Sequence, residues 1–197
     1  MKASRLQITR LAVAAVLLSA AVLAQSSAAA RIRTIPIINV YSHRPVDIYP
    51  GGVNASKQRF ASAFLWKYPE KEFELIYSAE DTKAFKIHVP YSDLCLMLDF
   101  RPGPYKNGTR VIQYSCDANK SAKWWYAKKV IVDAPPGEPQ SDYPYMLKFV
   151  NRFTGKCLDA DNRDGGSPPK AAVLQQWDCF VYSDDWNIGN QLWRDYE

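Results

Sequence analysis

Three segments near the C-terminus decide the fold: Phe149–Asp159 (FVNRFTGKCLD), Val173–Cys179 (VLQQWDC) and Asn190–Trp193 (NQLW). The middle of the chain repeats their order in Ile87–Met97 (IHVPYSDLCLM), Val111–Cys116 (VIQYSC) and Lys123–Trp125 (KWW). An eroded copy comes first, in Ile37–Asp47 (IINVYSHRPVD), Phe64–Tyr68 (FLWKY) and Phe73. Pro45 and Tyr68 there stand where the later copies have cysteines. Self-similarity of this kind marks an architecture that uses one supersecondary unit several times. The unit occurs three times, over about 35–80, 81–132 and 145–197.

Inside the units, short β-rich runs alternate with Gly, Pro, Asn and Asp: Tyr145–Val150, Val173–Trp177, Val111–Tyr114 and Lys128–Val132. Such spacing reads as an all-β sandwich or barrel. Thirteen prolines and six tryptophans fit that better than a helical bundle. The repeats are unevenly spaced, with 50 residues from Pro45 to Cys95 and 62 from Cys95 to Cys157. The excess is the Pro-rich stretch 133–144, which cannot run as continuous strand and reads as a solvated connector.

The N-terminus sets the compartment. Lys2, Arg5 and Arg10 precede an apolar run from Leu11 to Ala24, and small residues follow from Ser26 to Ala30. That order reads as a secretory signal peptide cut after Ala30, and its 14-residue apolar run falls short of the ~20 a membrane span needs. The product is expected to be secreted, extracellular or periplasmic, as one domain of 167 residues over 31–197. Losing three basic residues takes the formal charge from +5 to +2. A nearly neutral chain without basic runs offers nothing to nucleic acid or to an anionic membrane, and no membrane insertion is expected.

An even number of cysteines in an exported chain suggests disulfides, and four cysteines allow three connectivities. Their recurrence inside the repeats selects Cys95–Cys116 and Cys157–Cys179. A metal site is not expected, because no Cys-x-x-Cys pair exists and only His43 and His88 could assist. Asp159 and Asp161 lead into Arg163-Asp164-Gly165, but Arg163 stands at the third ligand position of a calcium loop and spoils it. No cofactor motif is present.

Cys157-Leu158-Asp159, then Gln175-x-Trp177-x-Cys179, then Asn190-Gln191-x-Trp193 resembles the ricin-type, or Gln-x-Trp, lectin repeat. The resemblance is strong in the third repeat, moderate in the second and weak in the first. It implies a β-trefoil, a six-stranded barrel capped by three hairpins, with the two disulfides each inside one repeat. It also implies binding of glycans, often galactosyl sugars, without catalysis.

A sugar offers one apolar C–H face and a ring of hydroxyls, so it suits an aromatic platform and a few convergent polar groups. In the third repeat Asp159 would accept hydroxyl hydrogen bonds, Asn190 would donate and accept, and Trp177 would be the platform. Gln175 shares the strand face of Trp177, and Gln191 is a supporting candidate. Trp193, Trp125 and Phe73 read as barrel core. In the second repeat Met97 replaces the carboxylate and Ala122-Lys123 the amide pair, so Tyr114 is left without its acceptor. In the first, Asp47 and Trp66 survive as a weaker second site, while Glu70 and Lys71 replace the amides. Asp184 and Asp185 fall in the loop before Asn190 and read as solvating it. Asn54, Asn107 and Asn119 head glycosylation sequons. The competing reading is a trefoil that binds a protein partner, as an inhibitor, toxin carrier subunit or extracellular adaptor. A glycosidase is not expected, because no carboxylate pair has a supporting motif.

Overall fold

The computed structural model describes residues 32–49, 56–67, 71–118, 121–131, 145–162, 171–180 and 186–194. Residues 1–30, expected to be a signal peptide, and the Pro-rich stretch 133–144 lie outside them, as do Tyr68, Glu70, Asp184 and Asp185.

Thirteen short strands follow in order. The first repeat holds β1 (Ile32–Pro36), β2 (Ile38–Asn39), β3 (Arg44–Ile48), β4 (Ala63–Leu65) and β5 (Glu72–Tyr77). The second holds β6 (Ala84–Val89), β7 (Leu94–Leu98), β8 (Val111–Tyr114) and β9 (Trp125–Val130). The third holds β10 (Met146–Asn151), β11 (Cys157–Ala160), β12 (Leu174–Trp177) and β13 (Trp193–Arg194). β1 and β2 behave as one strand interrupted at Ile37: β1 pairs with β5 and β2 with β13, so the order β1-β5-β6-β9-β10-β13-β2 closes on itself. All its pairings are antiparallel. The result is a six-stranded barrel. Hairpins β3–β4, β7–β8 and β11–β12 cap it, one from each repeat.

Period-two patterning explains how the barrel fills. In β5 the side chains of Phe73 and Leu75 turn inward, and in β6 those of Phe85, Ile87 and Val89. Trp125, Trp193 and Phe73, all 0% exposed, occupy equivalent places where each repeat closes. A buried indole N–H must find an acceptor. Trp125 Nε1 donates to the Leu96 carbonyl and Trp193 Nε1 to the Leu158 carbonyl, both at 3.3 Å. The repetition thus reaches individual hydrogen bonds. β9 starts earlier than the Lys128–Val132 run suggested, because its six-pair register with β10 extends back to Trp125. That start turns the Trp125 ring into the core; Val132 falls outside the described residues.

Both disulfides join a cap hairpin to the segment that follows it, Cys95 to Cys116 and Cys157 to Cys179. They span 21 and 22 residues of chain. A cross-link of that span restricts the unfolded chain by ~3 kcal/mol in the chain-entropy treatment. Replacing Cys95 and Cys116 together by serine is expected to lower unfolding free energy in denaturant titration by about that amount. An unchanged midpoint would show that the bridge contributes nothing.

Candidate functional site

The third hairpin and the turn after it build a cavity of about 550 Å³, lined by Gly108, Asp159, Asp161, Asn162, Gln175, Trp177, Phe180 and Asn190. Strand β11 carries Asp159, and strand β12 carries Gln175 directly opposite it in the register. Two residues on, Trp177 turns to the same side and remains 37% exposed. A tryptophan packed as core would not keep that much of its ring in solvent, as Trp193 demonstrates.

Asp159 is 2% exposed and held by three amides. Gln175 Nε2 donates to Oδ1 at 3.0 Å, while Asn190 Nδ2 and Gln191 Nε2 donate to Oδ2 at 2.8 and 3.0 Å. An ionised carboxylate offers about four acceptor positions, so three amide donors leave roughly one for a ligand. Asn190 lines the same cavity, and its buried Oδ1 meets no donor among the described residues. Its amide orientation follows from chemistry, since the opposite one would aim an oxygen at the Asp159 carboxylate. The site therefore presents acceptors beside an aromatic face.

Gln191 does not line the cavity. It lies beneath, donating to Asp159 and to the Asp178 carbonyl at 3.1 Å and accepting from the Phe180 N–H at 3.1 Å. It thereby fixes the carboxylate and places Phe180, whose carbonyl also accepts from Lys148 Nζ at 2.7 Å. Asn190 sits on the 3-10 turn Trp186–Gln191. That turn packs so closely on Tyr41 that a Cβ at Gly189 would stand 2.6 Å from the Tyr41 Cβ. From the far side, Asn39 Nδ2 donates to the carbonyls of Gly189 (3.0 Å) and Leu192 (3.3 Å). Asn190 is thus aimed by the first repeat.

Sequence reasoning missed several members of the site. Gly108 comes from the second repeat, and Gln176, on the opposite strand face from Trp177, holds that segment by donating to the Lys106 carbonyl at 2.9 Å. Asn107, head of one sequon, donates to Asp178 Oδ2 at 2.8 Å and accepts from Lys156 Nζ at 2.9 Å, which ties the same loop to the hairpin. Phe180 adds a second ring at the rim, 40% exposed. The Gln176 signal was available, since a glutamine buried on the far face of a strand needs a partner.

The other repeats are built differently. Met97 takes the place of Asp159, and Lys123 lies where Gln191 would, donating to the carbonyls of Cys116 (2.7 Å) and Ala118 (2.6 Å). In the first repeat Asp47 is 0% exposed and its Oδ1 accepts from the Ile48 N–H at 2.7 Å. Phe64 replaces the glutamine there and packs against Trp66 and Tyr49, with ring centroids 5.4 and 5.8 Å apart. Lys71 lies over the Tyr91 ring at 4.8 Å. Among the described residues, no group of His, Cys, Asp or Glu could hold a metal ion, and no helix is long and apolar enough to cross a membrane.

No family model matches the chain, and no curated protein matches it. Solved structures do. The designed three-fold symmetric protein ThreeFoil is 22% identical, with a TM-score of 0.59 over 83% of this chain and 98% of its own. The fold is a β-trefoil. A ricin B-like lectin from Macrolepiota procera, solved with lactose, is similar to this trefoil at 15% identity and a TM-score of 0.53, over 83% of this chain and 94% of the lectin. The exo-β-1,3-galactanase of Clostridium thermocellum contains a similar unit at 19% identity and a TM-score of 0.58. The trefoil covers 29% of that enzyme and the match covers 82% of this chain.

Burial pushes the Asp159 carboxyl up to about 6, helped by nearby Asp161 and opposed by the amide donors Gln175, Gln191 and Asn190. A carboxyl whose folded pKa exceeds its unfolded value of about 3.9 binds its proton more tightly when folded. Its stabilising contribution is complete below about pH 4 and lost as pH rises through about 6, a swing of ~3 kcal/mol. Relative to wild type, Asp159→Asn should gain unfolding free energy between about pH 4 and pH 7 in paired denaturant titrations. A difference that does not change with pH would refute the assignment.

Proposed function

We propose that this chain is a secreted, non-catalytic carbohydrate-binding module whose ligand site is the third-repeat pocket, with galactosyl glycans as its class of ligand. One observation carries the reading: a buried carboxylate held by three amides lines one pocket with a part-exposed Trp177 and with Asn190, whose Oδ1 meets no donor among the described residues. An acceptor such as Asn190 Oδ1, which meets no donor among the described residues, suits a ligand hydroxyl hydrogen, and the indole suits a C–H face. A galactosyl ring suits this arrangement because its axial hydroxyl leaves a continuous C–H patch on one face. Gross similarity to the lactose-bound Macrolepiota lectin supports the same class. Export is supported by the basic, apolar and small-residue order of 1–30 and by two disulfides, which persist in oxidising compartments.

Hydrolysis is disfavoured by the placement of the carboxylates. A raised carboxyl such as Asp159 could in principle protonate a leaving group, and a galactanase is among the similar structures. Glycosidases, however, flank the scissile bond with two carboxyls. Among the described residues the carboxyls that line the pocket are Asp159 and Asp161, two positions apart in the chain, and not a pair set across it.

A glycan array probed with wild type should light β-galactosides, with affinity in the millimolar range, about −4 kcal/mol, for one site. Trp177→Ala, which removes an exposed ring and leaves the core alone, should abolish that signal without lowering the melting temperature. An array on which wild type binds nothing refutes the reading. Binding that survives Trp177→Ala moves the site elsewhere.

A further inference from the structure

Three turns, one per repeat, reach across to the next hairpin of the cap in the same way. The Gly108 N–H donates to the Gln176 carbonyl, and the Gln176 N–H donates to the Thr109 carbonyl, both at 2.9 Å. In the second cap hairpin, the Phe60 N–H donates to Gln113 and the Gln113 N–H to Ala61, again both at 2.9 Å. In the first, the Ala171 N–H donates to Leu65 at 2.8 Å and the Leu65 N–H to Ala172 at 2.9 Å. Isolated bridges repeat the match two residues on: Arg110 to Gln175, Ser62 to Ile112 and Phe64 to Val173. All three leading residues have left-handed backbone, with φ of 82° at Gly108, 69° at Phe60 and 66° at Ala171. Gly108, Phe60 and Ala171 are therefore one position of the fold, filled three ways.

What that position faces is the aromatic platform. A Cβ at Gly108 would stand 3.7 Å from Gln175 Oε1 and 3.8 Å from the Trp177 ring. At Phe60 the side chain is real, and its ring lies 4.9 Å from the Tyr114 ring at a tilt of 41°. Arg101 covers it at 4.3 Å and is itself held by Asp99 at 2.7 Å. The second-repeat platform is thus already occupied by the protein's own ring.

We propose that Gly108 is the specificity-determining residue of the third-repeat pocket. By lacking a side chain it leaves open, over Trp177, the space that the Phe60 ring fills over Tyr114, and a hexopyranose ring takes that space. The proposal rests on the carbohydrate reading above. It adds that access to the platform is set by a residue of the preceding repeat, alongside the polar groups of the hairpin that carries the motif. Phe60 also marks where the ligand lies: a ring inclined over the platform, its far side passing the Gly108 backbone.

The test is titration with lactose, followed by calorimetry, of wild type, Gly108→Phe, Gly108→His and Phe60→Ala. Phe60 shows that this turn accepts phenylalanine at positive φ, and histidine is among the residues enriched there. Both Gly108 variants should keep the wild-type melting temperature within a few degrees and lose lactose affinity by about tenfold or more, as expected when a side chain occupies the ligand volume. Phe60→Ala should leave the affinity unchanged. Wild type binding lactose while either folded Gly108 variant binds it equally overturns the gate and leaves the carbohydrate reading standing. Loss of affinity in Phe60→Ala overturns it too, because the ligand would then lie at the second repeat. If wild type binds neither lactose nor any glycan on the array, the carbohydrate reading fails and the gate fails with it.

Discussion

Each cap hairpin is incomplete by itself. Its second strand gains a backbone pairing from the turn of the preceding repeat, and the three such pairings run in a circle: 108 onto 176, 60 onto 113, 171 onto 65. A two-stranded hairpin is marginal in water, so this circle is what makes three of them a lid. It also means that no pocket on the lid belongs to one repeat. The platform and the acceptors come from one unit, the wall from the unit before it, and the amide that completes the carboxylate shell is aimed by Asn39 of the first repeat.

That division explains what could be read in the sequence. Cys157, Asp159, Gln175, Trp177 and Asn190 act through their own side chains at fixed spacing in one repeat, so the hairpin and its polar floor were legible. The three core positions Phe73, Trp125 and Trp193 and both disulfide pairings followed from repetition alone. Gly108 was not legible, since its part is to have no side chain and the residues it faces lie some 70 positions away. Gln191 was legible as an amide near the site, but only the geometry places it under the cavity. Phe60 carries no lectin motif at all, and its meaning appears only when three turns are superimposed through their hydrogen bonds.

The Asp159 shell costs stability and gives the site its shape. A hydrophobic residue there would fill the same space without a buried charge, as Met97 does in the second repeat. Keeping the carboxylate means desolvating it, and the amides of Gln175, Asn190 and Gln191 offset only part of that penalty. Groups held ionised against burial tend to mark sites of function.

The barrel is closed by a short seam. Among the described residues six pairs join β9 to β10, whereas two, Trp193 with Asn39 and Arg194 with Ile38, join β13 to β2 and one, Leu147 with Trp193, joins β13 to β10. Proteins open first where few hydrogen bonds must break at once. Amide hydrogens of β2 and β13 should therefore exchange sooner than those of β9 and β10, and the turn carrying Asn190 sits directly before that seam. A ligand that engages Asn190 would draw free energy into the closure of the whole barrel. Occupancy of one pocket would then be felt as slower breathing at the junction of the first repeat with the last.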